Sequence, residues 1–100
     1  MKIKTIDVNA KEWFDKINGN SYFSMTVTIN YQMKNAVSFF VPMQYGYGDQ
    51  YRYEAFKELI ERKYIKCTDE HLSYWRYYED NKIISRHSIQ RNCLKKELNY

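Results

Sequence analysis

Proline and glycine are scarce in this chain: Pro42 is the single proline among 100 residues, and the three glycines are Gly19, Gly46 and Gly48. So few breakers leave no room for a linker or a low-complexity tract. No run of about 18 apolar residues occurs either, so no membrane-crossing helix is expected. The start, Met1-Lys2-Ile3-Lys4-Thr5-Ile6-Asp7, lacks the apolar stretch and small-residue cleavage site of an export signal. A cytoplasmic location is the expectation. Two cysteines, Cys67 and Cys93, are too few for a disulfide framework and are expected to be reduced thiols.

Aromatic residues, by contrast, are abundant. They make up 18% of the chain, with eleven tyrosines, inside a total apolar share of 44%. That packing surface outweighs the mean hydropathy of -0.78 and predicts a folded protein. Division into two units would leave pieces of about 50 residues that bury too little surface, so residues 1–100 are read as a single domain. The net charge of +4 is uneven: five basic and four acidic groups in residues 1–50, eleven and eight in residues 51–100. Lys82, Arg86, Arg91, Lys95 and Lys96 face only Glu97 near the end, a bias that suits phosphates or an acidic protein surface.

Residues 2–8 carry Ile3, Ile6 and Val8 and predict a short edge strand. Asn9 followed by Glu12 resembles a capping box, Trp13, Phe14 and Ile17 stand at helical spacing, and Asn18-Gly19 reads as a stop, so a short helix is expected over 10–17. Between Tyr22 and Tyr31 the chain alternates strictly, with Phe23, Met25, Val27, Ile29 and Tyr31 on one face, and Val37, Phe39 and Val41 continue the period. A three-residue loop, Met33-Lys34-Asn35, with Asn35 in the left-handed region, would set Tyr31 opposite Val37, Ile29 opposite Phe39 and Val27 opposite Val41, leaving Phe40 on the outer face. Pro42 is expected to end that strand. Asp49 stands where an N-cap belongs, and Ala55, Phe56, Leu59 and Ile60 form the stripe of a main helix over 50–64.

Ser73 to Ser88 has two readings. A hairpin turning at Asp80-Asn81 pairs Tyr78 with Ile83 and Trp75 with Arg86; a helix from Thr68 aligns only Leu72, Trp75 and Glu79. The hairpin accounts for more residues and is preferred. The expected fold is therefore α+β, a single antiparallel sheet of about four to five strands packed on one main helix. Exposed Phe40 and an edge at Ile3 to Val8 are each compatible with a dimer, and nothing requires one.

In the hairpin reading Trp75, Tyr77 and Ile84 belong to the core, whereas Tyr74, Arg76, Tyr78, Ser85 and His87 share the outer face. Rings beside guanidinium groups suit either stacked single-stranded bases or a protein interface. Gly46-Tyr47-Gly48 precedes a helix, but the dinucleotide fingerprint needs a third glycine where Tyr51 stands and the phosphate loop needs Gly-Lys-Ser/Thr. The two glycines are better read as a tight turn that points Tyr45 and Tyr47 outward. Cys67, His71, His87 and Cys93 have the atom types of a zinc site without its spacing, so no metal or cofactor is expected. Cys67 with His71, and Asp69 with Glu70, are equally unspecific, and no catalytic residue is assigned.

The segments Trp13-Phe14-Asp15-Lys16, Asn18-Gly19-Asn20-Ser21-Tyr22-Phe23 and Gln44-Tyr45-Gly46-Tyr47-Gly48-Asp49 resemble small accessory proteins of bacteriophages and prophages, particularly those of gut bacteria. The resemblance covers about the first half of the chain and part of the main helix and carries over no site residues. It implies a non-enzymatic protein that binds a host protein or nucleoprotein stoichiometrically, as inhibitors of host defence do. The anchors expected for that role are Tyr45, Tyr47, Tyr51, Arg52, Tyr74, Arg76 and Tyr78. The alternative is direct binding of RNA or single-stranded DNA through Tyr74, Arg76, Tyr78, Lys82, Arg86, Arg91, Lys95 and Lys96. A small nuclease using His71 or His87 is the third reading.

Overall fold

The computed structural model describes residues 2–66 and 73–98. Strands β1 (Thr5–Asp15), β2 (Asn20–Ile29) and β3 (Val37–Tyr45) form an antiparallel meander, followed by helices α1 (Gln50–Glu61) and α2 (Tyr74–Asp80). Strand β4 (Ile84–Gln90) then returns beside β1 and parallel to it, and a 3-10 turn (Lys95–Leu98) follows. The sheet order is β3-β2-β1-β4. The fold is α+β, with a mixed sheet where an antiparallel one was expected. No described helix is long and apolar enough to cross a membrane.

Alternation builds the core. Ile6, Val8 and Ala10 of β1 lie opposite Ile29, Val27 and Met25 of β2, and Val37, Phe39 and Val41 of β3 extend the same face. Tyr51, Ala55, Phe56 and Leu59 of α1 close over it. Burying each large aliphatic side chain contributes about 1.5–3 kcal/mol.

Residues 10–17 are not a helix but the second half of β1 and its turn. Trp13 and Phe14 project to opposite faces of the strand, and Ile17 sits in the loop, so their helical spacing has no structural counterpart. Asp15 Oδ1 accepts from the amides of Ile17 and Asn18 at 3.0 and 3.3 Å, and Oδ2 accepts from Asn18 Nδ2 at 2.8 Å. Gly19, at φ +70°, lets its amide donate to the Asp15 carbonyl at 2.7 Å. Asn18-Gly19 is thus a hairpin turn, as that dipeptide most often is.

The β2–β3 pairing differs from the expected one by two residues: Ile29 faces Val37, Val27 faces Phe39 and Met25 faces Val41. A shift of two keeps every side chain on its face, so the alternation is satisfied by both registers. The left-handed residues of the connection are Asn30 and Gln32, at φ 53° and 64°, rather than Asn35. The amide of buried Asn30 donates to the Thr5 carbonyl at 2.9 Å, and its side chain serves the start of β1, accepting from the amides of Lys4 and Thr5 at 2.7 and 3.3 Å and donating to the Lys2 carbonyl at 3.0 Å. Tyr31 is exposed. Pro42 does not end β3; it sits at the bulge between Phe23 and Met25, on an edge strand, where a missing amide costs nothing.

Helix α1 stops at Glu61, earlier than expected, because Lys63 turns left-handed at φ 66° and the Tyr64 amide bonds back to the Leu59 carbonyl at 2.9 Å. Residues 74–80 are a helix, not the first arm of a hairpin. Tyr74, Tyr77 and Tyr78 lie on one helical face and pack on Phe56 at ring separations of 6.5, 5.5 and 5.7 Å. Trp75 and Ile84, expected in the core, are exposed, and Tyr78, expected on the surface, is buried.

Candidate interaction surface

Both described helices pack on one face of the sheet, and the Cα envelope is only 19 Å in its thinnest direction. That depth holds one sheet and one helical layer, so most of the opposite face is open. Register orders this open face in rows across the strands. One row reads Arg86, Asp7, Thr28, Ser38; the next reads Ser88, Asn9, Thr26, Phe40; at the end of the sheet stand Trp13, Tyr22 and Tyr45.

The polar rows satisfy themselves. Arg86 donates to both carboxylate oxygens of Asp7 at 2.7 and 3.0 Å, Ser88 Oγ donates to Asn9 Oδ1 at 2.7 Å, and the hydroxyls of Thr28 and Ser38 share a bond of 2.6 Å. The guanidinium of Arg86 is held in its charged form by Asp7, through the hydrogen bond first and the charge second.

The aromatic row has a different character. Trp13 and Tyr22 stack with centroids 5.5 Å apart and planes at 26°, and Tyr45 meets Tyr22 edge-on at 5.9 Å and 78°. The Lys95 ammonium lies 5.4 Å from the Trp13 ring centre. Lys95 arrives there because the C-terminal 3-10 turn crosses this end of the face. Glu97 borders a small depression with Lys11, Ser24 and Phe40, and the turn is anchored by fully buried Leu98. Beyond Trp13 a shallow hollow of about 520 Å³ runs past Phe14, Ile17 and Leu94, all three exposed. Cys93 lines its floor; burial and the neighbouring Glu97 push its thiol up, and Sγ donates to the Gln90 carbonyl at 3.3 Å.

The expected anchors fall on separate surfaces. Tyr45, 55% exposed, belongs to the aromatic row, and Tyr47, 67% exposed, stands in the loop before α1. Tyr51 and Tyr78 are core residues at 2% and 4% exposure and present no ring to a partner. Arg52 and Tyr74 do meet, with the guanidinium 5.1 Å from the ring centre, but in the helical layer, where Arg76 also sits exposed on α2. Of the basic residues, Arg86 and Lys95 share the open face with Tyr45, whereas Arg91 bonds Glu12 at 2.7 Å and Lys82 and Lys96 are exposed. Cys67, Asp69, Glu70 and His71 lie outside the described residues. His87 Nδ1 shares a 3.0 Å hydrogen bond with the buried Tyr51 hydroxyl, on the helical side of β4.

No family model, curated protein or solved structure matches this chain. The residues that sequence reasoning missed are Trp13 and Tyr22. Asn18-Gly19 signals the hairpin but not its register: a two-residue turn there would set Trp13 opposite Ser24, whereas the observed four-residue loop, 16–19, sets it opposite Tyr22.

Proposed function

We propose that this chain is a non-enzymatic binding protein of the phage accessory type, which holds a host protein or nucleoprotein on its open sheet face. The observation that carries the reading is the row Trp13, Tyr22 and Tyr45, continuous across three strands on the face away from α1 and α2, half-buried at Trp13 and Tyr22 and exposed at Tyr45. Tryptophan and tyrosine are the residues that dominate protein interfaces. Here they stand on strands, so their positions are held before the partner arrives, which lowers the ordering cost of binding. Farther along the face the pairs Arg86–Asp7, Ser88–Asn9 and Thr28–Ser38 are polar groups already bonded to one another, the composition of an interface rim.

Two groups that could serve chemistry are occupied. His87 is tied to Tyr51, and the Cys93 thiol is buried with a raised pKa, which weakens it as a nucleophile.

Direct binding of RNA or single-stranded DNA is the second reading, favoured by the Lys95 ammonium over Trp13. Base stacking needs free ring faces; Trp13 and Tyr22 spend one each on the other, and Lys95 over Trp13 and Tyr45 beside Tyr22 take more of the ring surface. The protein partner is therefore preferred. Capture of a partner from nuclease-treated host lysate should be lost with Trp13→Ala plus Tyr45→Ala and kept with Arg76→Ala, which lies on the other side of the sheet. Capture that vanishes with nuclease treatment and falls steeply with salt would transfer the role to nucleic acid.

A further inference from the structure

The two edges of the sheet are built differently. On β3 the edge is interrupted by Pro42 and by the bulge beside it, two devices that blunt a strand against further pairing. Strand β4 has neither. It keeps unbroken register with β1 from Thr5 opposite Ile84 to Lys11 opposite Gln90. In a parallel ladder alternate residues turn both backbone groups toward the same neighbour. The Ile84 amide donates to the Lys4 carbonyl at 3.0 Å, so Ile84, Arg86, Ser88 and Gln90 serve β1. Ser85, His87 and Ile89 then turn their amides and carbonyls outward, and no described loop or helix bonds to them.

The charge along this edge has one sign. No carboxylate occurs between Lys82 and Arg91. Arg86 pairs with Asp7 and Arg91 with Glu12, but the cation is the outer member each time: the side chains are 54% against 18% exposed in the first pair and 46% against 12% in the second. Lys82 and His87 are exposed as well. A second copy docked edge to edge would bring the same cations together, which is unfavourable for directly opposed residues.

We infer that β4 is a docking edge that takes an extended acidic segment of a partner protein as a fifth strand. The inference rests on the reading of the chain as a protein-binding module and assigns a second, separate surface to it. Main-chain bonds to Ser85, His87 and Ile89 supply affinity, and carboxylates on the Arg86 side supply selection. The matching segment alternates, acidic toward Arg86 and small apolar toward Ile89.

The test uses a blocked seven-residue peptide alternating glutamate and valine, and its counterpart with lysine for glutamate, each titrated against the full chain by fluorescence anisotropy. The acidic peptide is expected to bind at least tenfold tighter than the basic one, to weaken with salt, and to slow amide exchange at Ser85, His87 and Ile89. Ser85→Pro removes an outward amide and no bond to β1, so it should weaken binding at least tenfold with the melting temperature nearly unchanged. If that variant does not fold, exchange in the unsubstituted protein decides, since protection must fall on β4. Equal or absent binding of the two peptides, protection on β3, dimerisation through β4, or unchanged binding by a folded Ser85→Pro overturns the inference. Trp13→Ala plus Tyr45→Ala should bind the peptide normally, which separates failure of this edge from failure of the aromatic row.

Discussion

Replacing Gly46 with alanine tests how tightly the Tyr-Gly loop is joined to the core. A Cβ there would lie 2.5 Å from Phe23 Cε1 and 3.1 Å from the Gln50 side chain. Carbon atoms in ordinary contact stand about 3.5–4.0 Å apart, so the ring must retreat by roughly 1 Å. Phe23 is 2% exposed and has nowhere to go without moving its neighbours. Overpacking of this kind costs about 1–3 kcal/mol. The loss of glycine freedom in the unfolded chain offsets about 0.4–1 kcal/mol of that. A net loss of about 1–2 kcal/mol corresponds to a fall of roughly 5–15 °C in melting temperature for a domain of this size. Thermal unfolding followed by circular dichroism measures it. Shortening the ring with Phe23→Leu should relieve the clash, so the double variant should be more stable than the sum of the single effects by about 1 kcal/mol. A Gly46→Ala protein that melts at or above the unsubstituted temperature would refute the close approach of this loop to Phe23.

Removing the side chain of Asn30 strips the acceptor from two amides and the donor from the Lys2 carbonyl. Asn30→Ala should therefore destabilise by about 2–3 kcal/mol in urea unfolding, and an effect below half of that would mean the start of β1 holds by other contacts. At Asp15 the hydrogen bond from the Asn18 side chain, and then the amides of Asn18 and Ile17, hold the carboxyl below its ordinary value of 3.8. A folded value below the unfolded one gives stability that is present above the unfolded pKa and lost as pH falls through the folded one. The stability gap between the unsubstituted protein and Asp15→Asn should accordingly shrink as pH is lowered from about 5 to about 2, and a gap that stays constant would contradict the turn geometry.

The sequence carried those parts of the fold that local periodicity encodes. Strands β2 and β3 are legible because Phe23, Met25, Val27 and Ile29 alternate without a break, and the stripe of α1 is legible for the same reason at period 3.6. Register is not, since moving the β2–β3 pairing by two leaves the same residues inside. Strand β1 is obscured where Trp13 and Phe14 adjoin, one on each face of a strand that ends a residue later. In α2 the helical face of Tyr74, Tyr77 and Tyr78 competes with the turn chemistry of Asp80-Asn81, which in the fold closes the helix and leads into β4. The parallel pairing of β4 with β1, including Asp7 with Arg86, joins residues 79 apart, and no local signal specifies it. The candidate surface was half visible for that reason: Tyr45 and Lys95 were marked, but the ring between them and the Trp13 stack depended on two pairings that only the folded sheet supplies.

The most direct test of the central claim is capture from nuclease-treated host lysate, by the unsubstituted protein and by Trp13→Ala plus Tyr45→Ala, with melting curves for both. A stoichiometric protein partner should survive nuclease treatment and be lost from a variant that still folds. Full retention of that partner by the folded variant would contradict the claim.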